Sequence, residues 1–346
     1  MRTLRAHLRE GQVIPAHPLA LTPRRTLDER RQRALTRYYA DAGAGGIAVG
    51  VHTTQFAIRE HGLYRPVLEL AAETARASIA RDRAFAMVAG VCGPTTQACR
   101  EAAVAHTLGY HLALVSLAGL DALDDRALVR HCRAVADVLP VFGFYLQPAV
   151  GGRRLSYEFW RELCELPGVW AIKVAPFDRY ATADVVRAVI DAGRDDVALY
   201  TGNDDNIVAD LVTPFRVNAG GAVRERFMDG GLLGQWAVWT RRAVEVLAAA
   251  RAARRAASVP ASLLATGTAL TAANGAIFDA AHGFSGCIAG IHEVLRTQGL
   301  MRGIWALDPR EALSPGQRQA IARVRAAYPG LADDEFVREN LDRWLT

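Results

Sequence analysis

A chain of 346 residues, 51% hydrophobic and 22% charged, has enough apolar material for one large α/β domain with an appendage, or for two ordinary domains. Its formal charge of +5 is small for that length, and its basic stretches, Arg24 to Arg37 and Arg251 to Arg255, lack interleaved aromatics. They read as solvated helix faces or subunit contacts, and no nucleic-acid partner is expected. No run approaches about 18 apolar residues and the N-terminus has no apolar core, so neither a membrane span nor a secretory leader is expected. Five scattered cysteines without a CxxC pair fit reduced thiols and a cytoplasmic location.

Short apolar runs suited to strands occur near Val13–His17, Gly46–Val51, Phe85–Val91, Leu112–Leu117, Val141–Leu146, Val169–Val174 and Val197–Thr201. Their starts lie 33, 39, 27, 29, 28 and 28 residues apart, the length of one strand–loop–helix unit. Between the first two, Leu27–Ala42 keeps Leu27, Leu35 and Tyr38/Tyr39 at turn spacing, with Thr26 as its expected N-cap; Thr95–Leu108 follows Pro94 and stops at Gly109. Near-continuous apolar strands are what a parallel sheet buried on both faces requires.

An eighth strand is expected at Leu232–Trp239, and the segment 212–227, with Pro214, Gly220 and Gly221, reads as an inserted hairpin. The expected fold is α/β: a (β/α)8 TIM barrel over residues 1–240, followed by a C-terminal helical domain over 241–346. A doubly wound open sheet is the rival, but no GxGxxG follows the first strand.

Forty of the 41 basic side chains are arginine; the single lysine is Lys173, inside the apolar run Val169–Ala175. Arginine serves everywhere else for charge, so this position calls for an amine that can lose its proton. Burial lowers an ammonium pKa readily, and a neutral amine attacks carbonyls to form a Schiff base. Lys173 falls near the C-terminal end of its strand, where barrel active sites assemble. Tyr145 lies 28 residues earlier, one β/α unit, and is expected to point into the same centre as a proton relay. Strand two ends in Gly50-Val51-His52-Thr53-Thr54, whose hydroxyls and backbone N–H groups suit a carboxylate. Strand seven ends in Thr201-Gly202-Asn203-Asp204-Asp205; Gly202 permits close approach of the backbone to a ligand. For Asp204 and Asp205, helix N-capping is preferred to a metal site, and neither metal nor cofactor is expected.

These residues resemble the dihydrodipicolinate synthase / N-acetylneuraminate lyase superfamily of Schiff-base-forming barrels. The carriers are Gly50…Thr53-Thr54, Ala89-Gly90-Val91, Phe144-Tyr145-x-x-Pro148, Trp170-Ala171-Ile172-Lys173 and Thr201-Gly202-Asn203-Asp204, spread over Val13 to Leu307. The resemblance implies that Lys173 forms the imine with a 2-oxo acid, either pyruvate or a pyruvate-bearing sugar acid. It further implies that Tyr145 relays protons and that the strand-two loop holds the carboxylate. Substrate contacts are thus expected from His52, Thr53, Thr54, Gly202 and Asn203. A gap-free alignment instead puts Val51 and His52 at the hydroxyl positions, so the gripping residues stay open.

Two further departures stand out. The synthases carry an arginine five positions after the tyrosine, where this chain has Val150, and a tyrosine after strand four, where it has Ser116-Leu117-Ala118-Gly119. Both argue against condensation with aspartate semialdehyde, unless Arg153 or Arg154 swings in. The leading expectation is a class I lyase or aldolase, with a homotetramer or homodimer implied by the resemblance. The alternatives are a dehydratase of a deoxy-sugar acid on the same scaffold, and a non-catalytic ligand-binding barrel.

Overall fold

The computed structural model describes residues 3–346. Seven parallel strands follow the predicted rhythm: β1 (Val13–Pro15), β2 (Gly46–Val49), β3 (Ala86–Val91), β4 (Leu112–Val115), β5 (Val141–Leu146), β6 (Val169–Ala175) and β7 (Ala198–Thr201). A hairpin of β8 (Phe215–Ala219) and β9 (Ala222–Arg226) intervenes before the eighth barrel strand, β10 (Gly230–Leu233). The sheet runs β1-β10-β7-β6-β5-β4-β3-β2. A parallel bridge between Ala16 and Ala48 brings its two ends together, and His17 N–H donates to Ala48 O at 2.8 Å. Inside, Ile14, Ala48, Val88, Leu114, Phe142, Ala171, Tyr200 and Leu232 are fully or almost fully buried in one cluster. The barrel is a packed core whose chemistry must sit at its mouth.

The outer helices are α1 (Leu4–Arg9), α2 (Glu29–Ala42), α3 (Tyr64–Ser78), α4 (Thr95–Thr107), α5 (Asp125–Ala136), α6 (Tyr157–Cys164), α7 (Arg179–Asp191), α8 (Ile207–Val212) and α9 (Thr240–Ala256). Helix α1 closes the barrel floor, placing Leu8 in the interior cluster while its carbonyl accepts the Tyr200 hydroxyl at 2.9 Å. Helix α9 packs against β1, α2 and α8 and completes the ring; the expected boundary at residue 240 falls at its N-terminus. Beyond it lie α10 (Ala261–Ile277), α11 (Cys287–Thr297), α12 (Gln317–Ala327) and α13 (Asp334–Trp344). Among the described residues no helix is long and apolar enough to cross a membrane.

Several local expectations are corrected. The cap of α2 is Asp28, whose carboxylate accepts Arg31 N–H at 3.1 Å, while the Thr26 hydroxyl pairs with Thr22 at 2.7 Å. The eighth strand begins two residues earlier and stops at Leu233, because its glycines belong to it. A Cβ on Gly230 would lie 2.4 Å from the backbone of Gln12, and one on Gly231 2.6 Å from the Trp236 ring. The following apolar residues turn back over the strand as a short 3-10 segment, Gln235–Ala237. The hairpin matches its expected place, with Gly220 and Gly221 both at positive φ in a two-residue turn.

The arginine stretches do more than solvate helices. Arg30 and Arg37 on α2 donate to Leu345 O at 2.6 Å and Trp344 O at 2.5 Å, and Arg25 and Arg31 reach Ala306 O and Gly299 O. On α9, Arg254 donates to Leu211 O and Met228 O. These guanidinium groups bind peptide carbonyls across elements far apart in the chain, which their multiple donors allow.

Candidate active site

A pocket opens at the C-terminal ends of the strands, and Lys173 reaches into it from β6. Three features set the state of its amine. Burial lowers its pKa from 10.5 to about 8, with Asp204 and Cys287 pulling the other way. The ammonium nitrogen lies 4.5 Å from the centroid of the Phe144 ring. Gly202, the residue after the neighbouring strand β7, leaves the lysine stem its space: a Cβ there would come within 2.7 Å of Lys173 Cε and 2.6 Å of Ala175 Cβ. The glycine is therefore needed for the lysine's approach, in addition to any ligand's.

Asp204 lines the same pocket. Its carboxylate accepts Gln235 N–H at 3.0 Å, and burial raises its pKa to about 7 against the opposing effects of that hydrogen bond and Lys173. It does not cap α8, as expected for it; that helix starts after Asn206 without a side-chain cap. A buried amine and a buried carboxyl thus face one space, each held near neutrality by desolvation.

From the end of β2, His52 and Thr53 line the pocket, whereas Thr54 does not. The Thr54 hydroxyl accepts Gly50 N–H at 3.0 Å and donates to His17 O at 2.7 Å, so it shapes the loop. The Thr53 hydroxyl donates to Ala16 O at 2.8 Å. His52 has its pKa lowered to about 4 by burial and then by the Lys173 charge, which leaves a neutral imidazole. Among the described residues the backbone N–H groups of His52 and Thr53 find no acceptor.

Asn203 turns away from the pocket. It is fully buried, donates to Asp210 at 2.9 Å and Thr182 at 3.3 Å, and accepts Phe177 N–H at 3.0 Å. Its role is to fix the loop after β6, where Phe177 has a φ of 55°. A bulky residue there costs about 1–3 kcal/mol and must be held by its surroundings.

Tyr145 also lies elsewhere. Its hydroxyl exchanges hydrogen bonds with the backbone of Leu155 at 3.3–3.5 Å and its ring packs on Trp160, on the helix side of β5. The cause is a bulge between β5 and β6. Val141 pairs with Val169, but Phe142 pairs with Ala171, so the offset grows by one residue and Phe144 comes level with Lys173. Side chains alternate along a strand, and a one-residue slip exchanges the faces.

Residues that were not expected at the site also line the pocket, among them Phe144, Asp204 and, from the C-terminal helical segment, Phe278, Phe284 and Cys287. Nothing in the barrel rhythm signals the last three. Phe284, itself at a φ of 68°, meets Phe177 edge-to-face at 5.9 Å. Val150 lines the pocket as well. Arg153 donates to Leu120 O and Leu123 O at 2.8 and 3.1 Å, Arg154 is exposed, and neither lines the pocket.

A (β/α)8 barrel with one desolvated lysine at its mouth, beside a carboxyl and facing helices of the C-terminal segment, is the architecture of an amine-bearing barrel protein. Residues 10–217 match the dihydrodipicolinate synthetase family, and the chain belongs to that family. It is 27% identical over 202 residues to an N-acetylneuraminate lyase of Citrobacter koseri, covering 56% of this chain and 64% of that one. It is 27% identical over 199 residues to the N-acetylneuraminate lyase of Escherichia coli K12, with shares of 56% and 63%. The alignment thus spans less than two thirds of these relatives' length.

Among solved structures, dihydrodipicolinate synthase from Aquifex aeolicus superposes with a TM-score of 0.74 at 17% identity, covering 93% of this chain and 99% of the other. CdNal from Clostridium difficile, in complex with mannosamine, gives 0.73 at 14%, covering 92% and 99%. At these identities the superpositions establish the shared fold.

Proposed function

We propose that this protein is a class I, Schiff-base-forming lyase or aldolase acting on a 2-oxo acid of the pyruvate type, with Lys173 as the imine-forming amine. The observation that carries the reading is the single lysine of the chain, lowered to a pKa of about 8 by burial, lining a pocket at the barrel mouth. An amine with such a pKa has a substantial neutral fraction near neutral pH and attacks the C2 carbonyl. The carbinolamine then loses water to give the imine, and loss of a C3 proton gives the enamine.

Asp204 suits the proton traffic of these steps: near its pKa a carboxyl both gives and takes a proton, and it faces the same space as the amine. The N–H groups of His52 and Thr53, beside a neutral imidazole, suit the substrate carboxylate. Tyr145, with its hydroxyl on Leu155, has no part in this scheme.

Borohydride reduction in the presence of pyruvate, read by intact mass and peptide mapping, tests the assignment. One reduced pyruvyl adduct at Lys173, absent from Lys173→Arg, is expected. The α-amine is the only competing amine, so the map is easily read. No adduct with any 2-oxo acid, or an adduct on the α-amine alone, would overturn the reading.

A further inference from the structure

The walls of the pocket are unlike what a polyhydroxylated or charged aldehyde requires. Its polar side chains gather around the amine: His52 and Asp204 both interact electrostatically with Lys173, and Thr53 adjoins His52. The remainder is mostly hydrocarbon. Four phenylalanines line it, Phe144 and Phe177 from the barrel and Phe278 and Phe284 from the C-terminal segment, joined by Val150 and Ile291. The chain has forty arginines, yet among the described residues none lines this pocket.

Each hydroxyl of a sugar taken into such a site loses water and needs a protein partner in return, and a second carboxylate or a phosphate needs a cation or N–H donors of its own, beyond those that suit the pyruvate carboxylate. Gln147 is the one neutral amide on the lining. An aromatic ring has the opposite requirements. It is stabilised by leaving water and packs edge or face against other rings. The Phe177–Phe284 pair, with ring planes at 73°, already shows that packing at the pocket. Both residues are held at positive φ, Phe177 through Asn203 and Phe284 through its N–H to Asp279 O at 3.0 Å, so this wall is fixed by its surroundings.

We infer that the second substrate of this site is an uncharged aromatic aldehyde, bound between the phenylalanines of the barrel and those of the C-terminal segment. The inference rests on the proposed imine chemistry. In the condensing direction, C3 of the pyruvate enamine forms a bond to the aldehyde carbon, whose π electrons move to oxygen, which takes a proton. Water then hydrolyses the imine, freeing the Lys173 amine and a 4-aryl-4-hydroxy-2-oxobutanoate. No oxidant or reductant is needed, and cleavage is the same sequence reversed.

The test pairs pyruvate with benzaldehyde, acetaldehyde, N-acetylmannosamine and aspartate semialdehyde, with products quantified by mass spectrometry alongside borohydride trapping. The expected result is a kcat/KM for benzaldehyde at least about 100-fold above those for the sugar and the semialdehyde. Phe284→Ala is expected to lower the benzaldehyde-to-acetaldehyde ratio of kcat/KM about tenfold or more. If pyruvate is trapped at Lys173 but the sugar or the semialdehyde condenses as well as benzaldehyde, or no aldehyde is preferred, the aromatic inference fails and the imine reading stands. If pyruvate and other 2-oxo acids are not trapped, the imine reading fails and this inference with it.

Discussion

Replacing Lys173 with methionine should stabilise the fold. In the unfolded chain the ammonium keeps its proton up to its ordinary pKa of 10.5, while in the barrel burial brings this down to about 8. Below that value both states are charged, and the folded state carries the full cost of a charge in an apolar pocket. At about 1.4 kcal/mol per pH unit, the drop corresponds to about 3 kcal/mol. Between pH 8 and 10.5 the unfolded chain binds a proton that the folded chain has released, so wild-type stability rises with pH across that window.

Methionine has a similar length and no charge to desolvate. Asp204 loses its cation in the variant, so its carboxyl, already raised to about 7, rises further and takes up a proton at neutral pH. The expected net gain at pH 7 is about 1–3 kcal/mol, shrinking as the pH approaches 10. Urea unfolding followed by far-UV circular dichroism at both pH values measures it. A variant less stable than wild type at pH 7, or a gain that is undiminished at pH 10, would refute the view that the lysine is held at an electrostatic cost.

Gly202→Ala forces a methyl group against Ala175 Cβ and the lysine stem. It should lower stability by about 1–3 kcal/mol and slow pyruvate trapping by about 10²-fold, measured by quenched-flow mass spectrometry; trapping at the wild-type rate would show that the strands yield without moving the amine. The trapping rate should rise with pH through about 8 as Lys173 loses its proton and level off above. In Asp204→Asn the midpoint should move to lower pH, since Asp204 favours the ammonium; a shift upward would contradict that sign. Tyr145→Phe should change the trapping rate by less than about threefold, well short of the ~10²–10⁴ that a proton relay contributes, and a loss on that larger scale would return the phenol to the reaction.

The barrel could be read from the sequence because its signal is repetitive: each unit must supply an apolar strand and a helix, and seven units did so at nearly even spacing. Lys173 stood out because the rest of the chain contains no other lysine. What escaped was information of a different kind. Equal spacing puts Tyr145 and Lys173 one unit apart, but whether they share a face depends on strand register, and the bulge at Val141/Phe142 shifts that by one residue. The neighbouring Gly143 and Gly168 do not by themselves reveal the shift, because composition carries no strand register. Asp204 was visible as part of an acidic run, yet its interaction with Lys173 and its bond to Gln235 N–H arise only when β7 and the end of β10 come together. Phe278 and Phe284 reach the pocket from a segment whose docking is set by tertiary contacts, including arginine forks on distant carbonyls.

The contact between Gly202 and Lys173 makes each residue evidence about the other. A barrel of this design that kept its long amine on strand six has no room for a methyl group at the matching point just after strand seven, while one that gave up the amine would be released from that restriction. The glycine then becomes a marker that can be read without any structure. In a related chain, alanine or anything larger at this position would indicate that the lysine opposite has left its place or changed its course. Glycine there, together with lysine, would indicate that the packing which presents the amine is still intact.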